Sequence, residues 1–395
     1  MFKRICSKLH LILGLITGVI VIIVCSTGAL YIFKDEINDA RSPWKFVDVP
    51  NGVEHKSRIY SGDMSKVKPL SEIVEISNSA IGMDNPIAVS VGCANEATRI
   101  DYSTKKGPQK FVCVNPYNGE VTKVHNATES DFDFFKFVIR GHRALWLPRD
   151  IGGPIVAYGV LIFFIVLVTG IVMWLPRAYD LKSLKSRLTF KRPFSPFRFM
   201  YDLHRTLGFY ATIPLLIMCF TGMMFSISWL SDGVYNALSL GKGLEKSYVP
   251  KSVLADSLST TASIDQLYTN LVESNPNAAR IFIYMPRDEQ SAYKVNVSHK
   301  RNSYYRTDFL YFDQYTLKPL ESRGVFSGKY TEANAAHKLR RMNLELHDGR
   351  ILGLGGKIVM FLACLVGISL PITGFVIWRK KESAKKKARK SKEKQ

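Results

Sequence analysis

DLHRTLGFYATIPLLIMCFTGMMFSISW, residues 202–229, opens with His204, carries Gly208 one helical turn later, and then runs apolar almost without break. Such a run of about 20 residues is what a helix needs to cross ~30 Å of hydrocarbon. Near its far end stands Thr221-Gly222. The start of the chain, KLHLILGLITGVIVIIVCSTGALYIF, repeats the arrangement with His10, Gly14 and Thr27-Gly28. Histidine to threonine is 17 residues in both stretches, and a cysteine precedes the threonine by two in both (Cys25, Cys219). An ionisable ring at a matched position in two membrane helices reads as a functional site.

The rest of the chain follows from this reading. Of its 395 residues 47% are hydrophobic, yet mean hydropathy is near zero, so apolar spans must alternate with water-soluble parts. Four stretches pass the spanning test, near 9–33, 153–176, 205–229 and 355–378. The expected organisation is a helix over 1–33, a soluble domain over 34–141, a helix with its approach over 142–178 and a basic loop over 179–203. A third helix over 204–230, a second soluble domain over 231–346, a fourth helix with its approach over 347–379 and a basic tail over 380–395 complete it. The first helix is too long for a cleaved signal, lacks a small-x-small site, and matches the third helix, so it is expected to stay.

The net charge of +21 has a location. Lys3, Arg4 and Lys8 precede the first span; Arg177, Lys182, Lys185, Arg187, Lys191, Arg192 and Arg198 fill the short loop; the tail from Arg379 to Gln395 has ten Lys/Arg against two Glu. Positive charge beside short loops marks the cytoplasmic side, which puts both termini inside and both soluble segments outside. Contact with anionic lipid accounts for the tail. A nucleic-acid reading of the tail is the alternative, but no binding fold accompanies the charge, and no nucleic-acid partner is expected.

Each soluble segment has a helical pattern (71–80; 264–273) followed by alternating strand-like runs: PIAVSVG, ATRIDY, QKFVCV and EVTKV in the first; ARIFIYM, AYKVNV, YYRTDFLYF and LKPLES in the second. Two small α+β units are the expectation. Cys93 and Cys113 face an oxidising compartment. In a three-strand meander, however, they would sit on non-adjacent strands, nearly 10 Å apart, which disfavours a bridge. Cys6, Cys25, Cys219 and Cys364 follow no C-x-x-C spacing and read as packing residues.

Both soluble segments lead into the next span through a histidine. RGHRALWLPRDIGGPIVAYGVLIFFIVLVTGIVMWLPR has His142, Gly152-Gly153, Thr169-Gly170 and Trp174; LELHDGRILGLGGKIVMFLACLVGISLPITGFVIWRK has His347, Gly355-Gly356, Thr373-Gly374 and Trp378. The chain is therefore a tandem duplication in one orientation, its halves related by an axis along the membrane normal. Of eight histidines four recur in register, His10 with His204 near the inner surface and His142 with His347 near the outer. His55, His125, His299 and His337 read as surface or structural.

Interfacial anchoring is the plain reading of such histidines. Two pairs at matched depth on opposite sides of the bilayer are what bis-histidine haem ligation requires, with an iron suited to electron transfer. Gly14 and Gly208 lie at i+4 from their histidines and clear that helix face for a flat macrocycle, although small residues also serve plain helix packing. Arg143 and Arg205 could pair with propionates. Zinc is the competing metal, but the pairs lack further ligands at an obvious spacing, Asp348 beside His347 excepted. No flavin, dinucleotide or iron–sulfur motif is present; Gly353-Leu-Gly-Gly follows no βαβ strand. A separate cytoplasmic electron donor is implied.

The LH-x-x-LG starts of spans one and three, the HR-x-L and LH-x-G approaches to spans two and four, and the TG-x-x-x-W ends resemble the PepSY-associated transmembrane proteins. The soluble segments resemble PepSY domains, VNPYNGEV matching their turn, whereas FDQYTLKPL lacks its glycine. The resemblance covers nearly the whole chain. It implies a membrane α-helical four-helix bundle, a tandem repeat of two helices, with two extracytoplasmic α+β PepSY-like domains. By resemblance to inner-membrane ferric-siderophore reductases, His10, His142, His204 and His347 would ligate two haem b groups. The activity would be one-electron reduction of a ferric siderophore or other ferric chelate outside a bacterial inner membrane. The alternatives are the same conduit with another acceptor, or a non-redox PepSY module that binds a peptidase or other protein. This chain has no fused reductase module.

Overall fold

A computed structural model describes residues 1–50, 57–60, 62–103, 107–176, 181–190, 195–253 and 262–393. Arg177, Lys191, Arg192, His55 and the Lys182 side chain fall outside what is described. Four helices are long and apolar enough to cross a membrane: Phe2–Ile32, Arg149–Trp174, Pro196–Ser226 and Arg350–Lys392. The chain divides into two compact units, one of residues 1–34, 133–231 and 343–395, the other of residues 35–132 and 232–342.

The first unit holds the spans. Span one packs against spans two and four, and span three packs against the same two. Their shared core contains Val21, Phe163, Leu215 and Ala363 with the thiols Cys25, Cys219 and Cys364. Between helices in lipid no hydrophobic gain remains, so close backbone approach carries the packing. Gly367 supplies it: a Cβ there would stand 2.8 Å from the Cys25 sulfur. Ile16, Val19, Ile213 and Leu362 are exposed, the inside-out pattern of helices bathed in hydrocarbon. The fourth helix runs on from Gly353 to Lys392, well past the apolar stretch. Lys, Arg, Ala and Glu are good helix formers, and cations suit a helix C-terminus.

The second unit departs from the sequence expectation. Its strands β1 (Ala88–Val91), β2 (Thr98–Asp101), β3 (Lys110–Val114), β4 (Val121–Asn126), β5 (Arg280–Tyr284), β6 (Tyr293–Ser298), β7 (Thr307–Phe312) and β8 (Pro319–Leu320) form one antiparallel sheet. The order is β4-β3-β2-β1-β5-β6-β7-β8. The two soluble segments are therefore joined: β1 pairs with β5, setting Val89 opposite Ile283. The physical reason is the edge. A four-stranded sheet would leave the backbone groups of β1 and β5 unpaired, and each edge satisfies the other. Helices Leu70–Ile81 and Ile264–Ser274 cover one face, placing Ile73, Leu267 and Leu271 on Ile100, Val112, Ile281 and Val295. Asp265 of the second helix accepts from the Ser71 N–H at 2.9 Å and so caps the first.

Cys93 and Cys113 are free, buried thiols. Cys93 donates to the Ala279 carbonyl at 3.4 Å. Burial pushes Cys93 up to about 11 and Cys113 up to about 12, so both stay protonated and unreactive.

The turns before β4 and β8 share a hydrogen-bond pattern, Gly119 N to Asn115 O and Leu317 N to Asp313 O. Gly119 sits at φ +79° and Leu317 at φ +56°. A side chain in the left-handed region costs roughly 1–2 kcal/mol. Leu317→Gly relieves that cost but gives up the packing of Leu317 against the sheet core, where removing a buried leucine side chain costs roughly 2–5 kcal/mol, so it is expected to lower the urea midpoint at constant slope. A raised midpoint would show that the backbone costs more than the side chain contributes.

Candidate functional site

Spans one and three bring two histidines together, and the approaches to spans two and four bring two more. The ring centroids of His10 and His204 are 6.1 Å apart with planes at 86°; those of His142 and His347 are 6.0 Å apart at 68°. Each ring is seated by a Thr-Gly pair from a neighbouring helix. His10 Nδ1 lies 3.3 Å from Thr169 Oγ1, His142 Nδ1 3.4 Å from Thr27, His204 Nδ1 2.9 Å from Thr373 and His347 Nδ1 2.9 Å from Thr221. The glycine that follows each threonine lies against the ring edge. A Cβ on Gly170, Gly28, Gly374 or Gly222 would stand 3.1–3.3 Å from the corresponding Cε1.

The seats are reciprocal. The helix of His10 seats His142 and the helix after His142 seats His10; the helices of His204 and His347 do the same for each other. The Thr-Gly pairs, which serve in the sequence only as spacing marks, are the residues that sequence reading missed as part of the site.

Hydrogen bonding fixes the tautomer. His10 Nδ1 is 3.0 Å from the Val166 carbonyl and His142 Nδ1 is 2.9 Å from that of Val24. A carbonyl only accepts, so these Nδ1 atoms carry the proton. Thr373 and Thr221 spend their hydroxyl protons on the carbonyls of Ser369 and Ile217, at 2.8 and 2.6 Å, and therefore accept from His204 and His347. All four neutral rings keep an unprotonated Nε2. A metal-binding histidine is normally held this way, its second nitrogen donating to the protein.

The backbone adapts at one of the four. Leu203–Leu207 is a turn of π-helix within the third span. The extra residue in that turn reaims His204 relative to the helix below, a common device at functional sites. The two pairs are well separated. His142 bonds Val24, 14 residues beyond His10 on the same helix (24 − 10), or about 21 Å at 1.5 Å per residue.

A cavity of about 420 Å³ adjoins His10 and His204, and Gly14 and Gly208 line it with Gly170 and Gly374. That volume lies in the range of roughly 300–1,000 Å³ for small-molecule sites. Arg205 also lines it but is engaged: it pairs with the fully buried Asp202 at 3.0 Å and donates to the Ser186 carbonyl at 2.8 Å. Arg198 holds the same carboxylate at 3.0 Å. Arg143 is exposed, one residue after His142. Among the described residues no third His, Cys, Asp or Glu joins either histidine pair to complete a metal site. Asp348 instead pairs with Arg350 at 2.7 Å.

The remaining described histidines lie in the sheet unit. His125 stacks on Phe111, His299 bonds Asp308 at 2.8 Å, and His337 tilts against Tyr235. The family model described as the PepSY-associated TM region matches residues 7–381 of this chain. No curated protein matches it.

Proposed function

Because this chain belongs to the PepSY-associated transmembrane family, we propose that its histidine pairs ligate two haem b groups and that it carries electrons across a bacterial inner membrane. The acceptor is a ferric chelate on the extracytoplasmic side, a ferric siderophore above all. The observation that carries this reading is the spacing of the two rings within each pair, whose Nδ1 atoms are both turned to the protein. Two ring nitrogens each about 2 Å from a shared metal, with centroids ~1 Å further back, set centroids about 6 Å apart. The pairs stand at 6.1 and 6.0 Å. Two nitrogens suit a metal whose other ligands arrive with it, as a porphyrin iron's do.

Haem held by His10 with His204 and by His142 with His347 would supply reversible one-electron transfer. The chain supplies the rest. Thr-Gly seats hold the imidazoles in orientation and tautomer, apolar spans exclude water, and Gly14 and Gly208 open the helix faces. Lys and Arg beside the short loop and both termini orient the bundle, a tandem repeat of two helices, with these ends in the cytoplasm. The net reaction takes one electron from a cytoplasmic donor and converts Fe(III) of the chelate to Fe(II). The lower charge weakens the grip of hard oxygen ligands and frees the metal. The joined sheet, built from PepSY-like halves, would stand on the acceptor side. Removal of iron from a ferric chelate by donor-reduced, vesicle-embedded protein tests the activity; oxidation of the haems by other acceptors but no ferric chelate would reassign the acceptor.

Crossed ligand planes give a second readout. Perpendicular imidazoles leave the two π-type iron orbitals nearly degenerate. The oxidised protein is thus expected to give strongly axial low-spin EPR signals, the more extreme from the 86° pair. Two rhombic signals typical of parallel rings would contradict the seated geometry.

A further inference from the structure

Trp174 ends the second span and lines the cavity beside His10 and His204, stacked on Phe209 with centroids 3.7 Å apart. A tryptophan at a span end is usually an interfacial anchor, its body in lipid and its N–H at the headgroups. Trp174 is not placed so: it is 8% exposed, and its indole N–H is buried without a hydrogen-bond partner. An orphaned buried donor is costly and calls for an acceptor beside it.

The charges around it say what kind. Arg187, Arg205, Lys381 and Lys385 line the cavity against Glu382 alone, an excess of three positive charges (four minus one). Adding Arg198 and Asp202 behind Arg205 leaves that excess unchanged. Glu382 is taken by Lys385 at 2.7 Å. Arg187 is steered to the site by donating to the Trp174 carbonyl at 2.7 Å. Lys381 has no ion-pair partner among the described residues. One end of an otherwise apolar cavity thus collects cations and a free N–H, a complement for two carboxylates.

We propose that Trp174 N–H, Arg187 and Lys381 bind the two carboxylates of the ligand held between His10 and His204, in place of the already paired Arg205. This rests on the haem reading above, with the propionates as those carboxylates. Removing a donor or cation leaves more negative charge beside the iron and favours its oxidised form. Trp174→Phe keeps the stacking on Phe209, and Lys381→Met alters an exposed position. Both variants should retain two haems per chain and lower the midpoint potential of one haem only, with its pH dependence displaced upward. Trp174→Phe should also shift the propionate-bending Raman band. Potentials and Raman bands equal to wild type in a fully loaded protein would overturn the proposal while leaving the haem reading intact. If Trp174→Phe fails to assemble, the potential of Lys381→Met decides. A wild-type protein without haem would instead overturn the reading under which the carboxylates were assigned.

Discussion

His204→Ala is expected to leave purified protein with one haem per chain where wild type is expected to carry two, halving the α-band absorbance. Coordination is the reason. His10 alone offers one nitrogen, and among the described residues no other His, Cys, Asp or Glu stands ready to replace the lost one. The pair His142/His347 is about 21 Å away along the helix and has its own seats, so the second haem should persist. His347→Ala is the mirror experiment and should remove the other haem. His125→Ala and His337→Ala, in the sheet unit, should remove neither. Full loading of His204→Ala would refute the ligand assignment.

The second large effect is expected at a residue with no polar atom in its side chain. Gly374→Val puts a branched side chain where even a Cβ would stand 3.2 Å from His204 Cε1. The imidazole must then leave its seat on Thr373, and the haem between His10 and His204 should be lost or turn high-spin. Helix stability cannot explain such a loss. Glycine is the poorer helix former, and Gly374→Ala gains about 1 kcal/mol of propensity. A graded series, with Ala perturbing the spectrum and Val abolishing one haem at unchanged expression, is the predicted pattern. A Val variant with a wild-type spectrum would mean that the glycines serve helix packing only.

Much of this was legible in the sequence, for physical reasons that differ by element. The spans announce themselves because a lipid-crossing helix must be apolar along its whole length. The proximity of His10 to His204 follows from equal spacing to a shared Thr-Gly mark. The seats themselves were hidden. Thr373 meets His204 across 169 residues, and only packing reveals that each half seats its own two rings reciprocally. The joining of the two soluble segments was equally invisible, since β1 and β5 meet through backbone hydrogen bonds that leave no side-chain signature. Arg205 is a different case. Asp202 lies at i−3 from it, a spacing at which opposite charges pair on a helix, and the sequence alone could have warned that its guanidinium was spoken for.

Whether the two imidazole pairs hold two haems is tested most directly by the reduced-minus-oxidised absorption spectrum of detergent-purified protein, with haem quantified per chain. The predicted result is the sharp α-band of low-spin haem b at two haems per polypeptide. A featureless difference spectrum from folded protein expressed with ample haem would contradict it.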